Sequence, residues 1–517
     1  MSSPGAPAQA APLKGIALGV TALALALGTF MQVLDTTIAN VSLPTIAGNL
    51  GVSSDQGTWV ITSFAVSNGI GVPLTGWLMG RYGVVRVFVL SVLFFTVASF
   101  LCGIAWSLSS LVVFRVLQGG ISGPMIPGSQ ALLIAIFPPQ RRAVALGIWS
   151  MTTLVAPICG PIMGGYICDN FSWGWIFFIN VPVGLLCAFL CWRNLAARET
   201  PMRKLPIDGI GLGLLVLWVG AMQVMLDTGK DADWFASTQI VILALVAAVF
   251  CVVWIIWEWT DKHPIVDLSL FKNRNLALGT LALCLGYAIF FANILLLPLW
   301  LQTQLGYTAT WAGLVAAPSG VVAVVLTPIN ARIMSRFDAR LTASLAFVAF
   351  AISYFMRAGL TTDASFAAFV LPLLVQGVAM SMFFVAMLTI TLDGVAPQRI
   401  PSATGLTNFA RITAGAFAAS ITTTLWDRRE ALHQSQLVET ATQFDPAMQQ
   451  ATATLHALGF SDAQGYGIVL RTLVGQAYLL AADDLFWISA WISLAMIPII
   501  WLSRRPVSAG GVVAAAD

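Results

Sequence analysis

Gly28-Thr29-Phe30-Met31-Gln32-Val33-Leu34-Asp35-Thr36-Thr37-Ile38-Ala39-Asn40 ends an apolar run that begins near residue 15 and carries a single carboxylate. The run, 15–40, exceeds the ~20 residues with which a helix crosses a ~30 Å hydrocarbon core. At helical spacing Thr29, Gln32, Thr36 and Asn40 share one face, with Asp35 at its edge. A carboxylate at the centre of such a helix costs about 2.5–3.5 kcal/mol to insert, so it is expected to face a partner or a water-accessible cavity. Only Lys14 precedes the run, which is longer than the apolar part of a secretory leader and leads straight into the polar face. The segment is therefore expected to stay as a first membrane span.

The rest of the chain repeats this theme. Of 517 residues 58% are hydrophobic and 9% charged, against about 25% charged in a soluble domain. Apolar blocks fall at 15–40, 57–79, 85–106, 108–134, 142–167, 175–194, 207–227, 238–259, 276–302, 311–334, 341–360, 366–392, 402–426 and 480–503. They are continuous and not alternating, so an all-α membrane protein of fourteen spans is expected and a β-barrel is not. The net charge of +3 offers no footprint for nucleic acid. The seven cysteines lie almost all in apolar blocks, without metal-ligand spacing, and the three histidines are scattered in loops.

Basic residues orient the spans. An even count puts both termini on one side. With that side cytoplasmic, most of the 25 Lys and Arg fall there, including Arg81, Arg86, Arg141, Arg142, Arg203, Lys204, Arg332, Arg336 and Arg340. The halves also repeat. Pro73, Leu78, Met79, Arg81 and Tyr82 match Pro328, Ile333, Met334, Arg336 and Phe337 at one offset, and Gln118-Gly119 matches Gln376-Gly377. The expected plan is a cytoplasmic tail 1–14, a six-helix bundle 15–200, two inserted spans within 201–262, a second six-helix bundle 263–503 and a cytoplasmic tail 504–517. The polar stretch 427–479 reads as a long outer loop with short helices.

Charges inside the membrane are functional candidates by default. Asp35, Arg115 and Arg411 are the clear ones. Arg115, Gln118, Gly119 and Ser122 share one helix face, and Thr404, Asn408, Arg411 and Gly415 another. A cavity lined by Gln32, Thr36, Asn40, Gln118, Ser122, Asn408 and Arg411 is the expected substrate path. Burial favours a neutral carboxyl and a nearby cation favours the charged form. Asp35 beside Arg115 is thus suited to load and release a proton, and a static Asp35–Arg115 bridge is the structural alternative. Met380, Phe383, Phe384 and Met387 form an adaptable apolar patch, suited to varied substrates or to plain helix packing. Gly160-Pro161-x-x-Gly164-Gly165 gives a closely packed, bendable helix.

Leu34-Asp35-Thr36-Thr37-Ile38-Ala39-Asn40-Val41-Ser42-Leu43-Pro44 resembles the first-helix signature of the fourteen-span drug:proton antiporters of the major facilitator superfamily. Arg115-x-x-Gln118-Gly119 resembles the superfamily's fourth-helix motif, Gly160-Pro161-x-x-Gly164-Gly165 the antiporter motif, and Trp173-Gly174-Trp175-Ile176-Phe177-Phe178-Ile179-Asn180-Val181-Pro182 a hallmark of the fourteen-span branch. Gly57-Thr58-Trp59-Val60-Ile61-Thr62-Ser63-Phe64, Asp267-Leu268-Ser269-Leu270-Phe271 and Tyr307-Thr308-Ala309-Thr310-Trp311-Ala312-Gly313 resemble the EmrB-type exporters.

The resemblance implies a proton-coupled efflux antiporter in a bacterial inner membrane, exporting hydrophobic toxic compounds. Asp35 and Arg115 would couple the proton, with no cofactor besides it. A periplasmic EmrA-like adaptor and an outer-membrane TolC-like channel would be its partners. The alternative is an importer or facilitator of a small organic solute with the same fold; no feature suggests an enzyme. One departure stands out. In the loop motif Gly76-Trp77-Leu78-Met79-Gly80-Arg81-Tyr82-Gly83, Gly80 stands where the family usually has Asp, which puts the charge latch attributed to that Asp in doubt.

Overall fold

An apolar run in lipid satisfies its backbone polar groups only within its own helix or in a closed barrel. The computed structural model describes residues 13–138, 141–202, 206–333, 338–362, 364–442 and 444–506, and all regular structure in them is helical. In chain order the helices are α1 (Gly15–Leu50), α2 (Ser54–Gly57), α3 (Trp59–Gly71), α4 (Thr75–Tyr82), α5 (Val84–Gly103), α6 (Leu108–Ser122), α7 (Met125–Ile136), α8 (Arg142–Asn170), α9 (Trp175–Phe178) and α10 (Asn180–Leu195). Then come α11 (Gly209–Thr228), α12 (Thr238–Thr260), α13 (Arg274–Thr303), α14 (Ala309–Ile333), α15 (Ala339–Arg357), α16 (Phe366–Thr391), α17 (Ile400–Thr440), α18 (Pro446–Ala457) and α19 (Asp462–Trp501). The expected tails lie almost wholly outside the described residues, as do Met334, Arg336 and Phe337 of the repeat.

Eleven helices among the described residues are long and apolar enough to cross a membrane. The other three expected blocks have local reasons to differ. The 57–79 block is interrupted at Pro73 and the 108–134 block at Gly123-Pro124, because proline lacks an N–H and its ring crowds the preceding turn. The 402–426 block lies in α17, whose Thr, Ser and Asn content lowers its hydropathy.

Helices α1–α10 form one bundle and α13–α19 the other. Phe88, Phe95 and Trp149 are fully buried in the first, and Phe347, Phe350 and Phe383 in the second. Helix α8 packs on α1 by one face and on α14 by the other. The inserted pair α11–α12 lies outside both bundles. A Cβ on Gly69 of α3 would meet Val219 of α11 at 3.1 Å, and Ser420 Oγ of α17 donates to the Leu226 carbonyl of α11 at 2.8 Å. Helix α11 therefore bridges the bundles along one seam. Most of the apolar length of α12 is not buried against the rest of the protein, which places it at the perimeter.

The 427–479 stretch differs from the expected loop. Helix α17 continues without a break to Thr440, and α19 starts at Asp462. At 1.5 Å per residue each is about 60 Å long, roughly twice the hydrocarbon thickness, so both extend beyond it. They are tied to each other. Trp426 Nε1 donates to the Tyr478 carbonyl at 3.0 Å, and His433 Nε2 lies 2.8 Å from Asp484 Oδ2. The polar composition marks helix faces in water, not loop.

Candidate functional site: a saturated carboxylate and an unsaturated arginine

Asp35 is fully buried at the centre of α1. Arg115 Nη1 of α6 lies 2.6 Å from its Oδ2. Gln118 Nε2, one turn on, donates to Oδ1 at 3.0 Å, and Asn180 Nδ2 at the start of α10 donates to the same oxygen at 2.9 Å. Ser99 Oγ of α5 accepts from both amides, at 2.7 Å from Gln118 and 3.3 Å from Asn180. Arg115 is held as firmly. Its Nε donates to the Val60 carbonyl at 3.0 Å, its Nη1 also donates to Gln118 Oε1 at 2.7 Å, and its guanidinium lies 4.2 Å from the Phe64 ring centroid. Four helices thus converge on one acid.

Every group that faces the Asp35 oxygens is a donor carrying its own hydrogens. The arrangement therefore fits the carboxylate and leaves no acceptor for a carboxylic acid proton. The sequence reading singled out Asp35, Arg115 and Gln118. It quoted Asn180 and Val60 within motifs without giving them these roles, and it missed Ser99. The available signal was a polar Asn180 just ahead of Val181-Pro182 in an apolar run.

The packing around α1 is tight on the α8 side. A Cβ on Gly160 would lie 2.2 Å from Thr37 Oγ1 and 2.7 Å from Thr37 Cβ, and one on Gly164 would lie 3.0 Å from Ile38 Cγ1. Gly165 instead looks toward Thr310 of α14, with its nearest atom at 3.5 Å. The Pro161 side chain lies outside the described residues. The glycine motif thus sits against the two turns beside Asp35.

The other expected cavity residues separate into groups. Gln32 is buried with an unpartnered Oε1, Thr36 is half-buried and bonds its own helix, and Asn40 is exposed. Ser122 accepts from Asn68 Nδ2 at 2.7 Å inside the first bundle. Met380, Phe383, Phe384 and Met387 are all buried in the second bundle. Phe383 meets Phe347 and Phe350 edge-on, and Phe384 meets Phe290 in the same way.

Asn408 and Arg411 lie between the bundles. Asn408 Nδ2 donates to Gln130 Oε1 of α7 at 2.8 Å, and its Oδ1 accepts from Arg411 Nη2 at 3.0 Å. The Arg411 guanidinium lies 4.5 Å from the ring centroid of Tyr287 on α13 and 5.8 Å from that of Trp149 on α8. At the start of α17 the bundles touch. A Cβ on Gly76 would be 2.8 Å from Ser402 Cα, and Thr404 Oγ1 reaches the Pro127 carbonyl at 3.3 Å. Arg81 of the same loop motif lies beside the Trp77 and Tyr82 rings. Gly83 turns the chain at φ +92°, a conformation that favours glycine. Glu199 accepts there from the Val85 and Arg86 N–H groups at the start of α5, at 3.1 and 2.8 Å. Two buried charges escaped the sequence reading as candidates: Arg357 at the end of α15 and Glu258 near the end of α12.

The Major Facilitator Superfamily model matches residues 25–419. The chain is 48% identical over 504 residues to the multidrug export protein EmrB of Escherichia coli K12, covering 97% of this chain and 98% of that one. It is 46% identical over 500 residues to the fatty acid resistance protein FarB of Neisseria gonorrhoeae, covering 97% and 99%. Among solved structures, the human organic anion transporter MFSD10 superimposes with a TM-score of 0.58 at 12% identity, covering 93% of this chain and 99% of that one, a likeness of fold. The chain therefore belongs to the major facilitator superfamily, in its branch of EmrB-type multidrug export proteins, and is a multi-pass membrane transporter and not an enzyme.

Proposed function

We propose that this transporter is a proton-coupled efflux antiporter that exports hydrophobic toxic compounds across a bacterial inner membrane. In this reading it crosses the membrane fourteen times with both termini in the cytoplasm, and passes substrate to a periplasmic EmrA-like adaptor and an outer-membrane TolC-like channel. The observation that carries the reading is the buried Asp35, met only by donors. In the arrangement seen here the bundles touch at the α4–α17 end, the cytoplasmic end by the positive-inside rule. A proton arriving from the outer side neutralises Asp35, frees Arg115 and Gln118 from it, and loosens α1 from α6. Because α8 is wedged between α1 and α14, the shift is passed to the second bundle. Opening inward releases the proton as substrate loads. One proton moving through 100 mV supplies about 2.3 kcal/mol, which sustains roughly a fiftyfold gradient of a neutral solute.

The test is substrate-triggered proton release in proteoliposomes. Asp35→Asn should abolish it while the protein still inserts and still binds substrate. Unchanged proton release in that variant overturns the coupling role. Import in place of export in oriented vesicles would favour the facilitator alternative.

A further inference from the structure

The first bundle's buried arginine is saturated, whereas Arg411 is not. The residue is 4% exposed, and among the described residues its Nε has no hydrogen-bond partner. Among the described residues its one bond to another side chain goes to a neutral amide, Asn408 Oδ1. Among the described residues no carboxylate lies within ion-pair distance of it. A buried guanidinium without an anion is costly, and proteins normally supply one. The ring faces of Tyr287 and Trp149 offset part of that cost and fix the position of the cation without neutralising it.

The location narrows what completes the set. Arg411 is reached from both bundles: Tyr287 belongs to α13, Trp149 to α8, and Gln130 of α7 holds Asn408. A ligand that replaced the missing anion would be gripped at the moving seam. A guanidinium fork matches an anion that presents two oxygens side by side, as a carboxylate or a sulfonate does, and aromatic faces beside it suit an apolar body. Building on the exporter reading above, we propose that Arg411, Tyr287 and Trp149 form the subsite for the anionic head of an amphipathic substrate, so that the transporter selects anions over neutral analogues of the same shape.

The experiment uses the full chain in nanodiscs and two fluorescent probes with one ring skeleton: anilinonaphthalene sulfonate, which is permanently anionic, and phenylnaphthylamine, which lacks the sulfonate. The wild type should bind the sulfonate more tightly than the amine. Arg411→Gln should weaken sulfonate binding about tenfold or more and leave amine binding nearly unchanged. Arg411→Lys, which keeps the charge, should restore much of the difference. The proposal is overturned if the wild type shows no preference for the sulfonate, if Arg411→Gln leaves that preference intact, or if it weakens both probes alike. Binding is read without any proton gradient, so this outcome is independent of the Asp35→Asn result.

Discussion

Gln118 and Gln376 stand at matching places in the two bundles, and each bonds to the residue nineteen positions before it, Ser99 in one and Arg357 in the other. The glycines that follow them match as well. A Cβ on Gly119 would lie 2.5 Å from the Phe64 carbonyl oxygen, and one on Gly377 would lie 2.5 Å from that of Ser319. The scaffold is therefore repeated and the chemistry is not. Gln118 also holds Asp35 and Arg115, whereas Gln376 meets Arg357, which has no acid within ion-pair distance among the described residues.

This asymmetry separates the effects of the two amides. Gln118→Ala should move the pH profile of substrate-triggered proton release, because Asp35 loses a donor and Arg115 an acceptor. Gln376→Ala should leave the profile in place. It should instead lower stability by about 1–3 kcal/mol, the cost of a buried donor left unsatisfied, read as a lower unfolding midpoint in detergent.

Asp35 and Arg115 form a pair in which removing one charge strands the other. Asp35→Asn alone should destabilise the protein by about 3–5 kcal/mol. Adding Arg115→Gln should recover much of that stability, since two amides can hydrogen-bond in place of the ions. Coupling should stay absent in the double variant. If it returned along with stability, the pair would be a structural bridge and no proton carrier. Thermal unfolding and proton release measured on the same preparations decide between these outcomes.

The all-helical membrane fold was legible because apolar length is a property of single segments. Asp35, Arg115 and Gln118 were legible for the same reason, being polar groups where lipid tolerates few. Asn180 and Ser99 were harder to find. Each is one small polar residue on its own helix, and only packing brings them to one carboxylate. Arg357 lies at the end of an apolar run, where an arginine usually reaches toward water, and only the fold shows it buried beside Gln376. The extensions of α17 and α19 beyond the apolar spans read as loop because polar helices in water lack the apolar stripe that marks a helix on a core.

Within one short motif the glycines should differ in tolerance. Gly160→Ala puts a methyl 2.2 Å from Thr37 Oγ1 and 2.7 Å from Thr37 Cβ, so α1 and α8 must part. Overpacking of this kind costs about 1–3 kcal/mol, and transport should fall steeply because the displaced turn adjoins Asp35. Gly165→Ala meets nothing nearer than 3.5 Å and should transport normally. Equal losses at both positions would show that backbone flexibility, and not the α1–α8 contact, is what the motif supplies. Dye efflux at matched expression reads the difference.

Asp338, ahead of α15 and outside the spans, provides a test by acid. Burial alone would raise its carboxyl. The hydrogen bonds from the Arg340 side chain and N–H, and the charges of Arg340 and Arg505, outweigh burial and hold it below its ordinary value of 3.8. The Arg340–Asp338 contact is 2.8 Å, and Arg340 Nη1 also donates to the Ser503 carbonyl at 3.2 Å, so the carboxylate helps to fix α15 to the end of α19. A group whose folded value is depressed stabilises fully above its unfolded value and loses that contribution as pH falls through the folded one. Asp338→Asn should therefore unfold below the wild type at pH 7. The gap should narrow only as the pH drops beneath about 3.8 and close once Asp338 is protonated in the folded state. A gap that stayed constant as the pH fell well below 3.8, through protonation of Asp338 in the folded state, would mean that the side chain contributes shape and not charge.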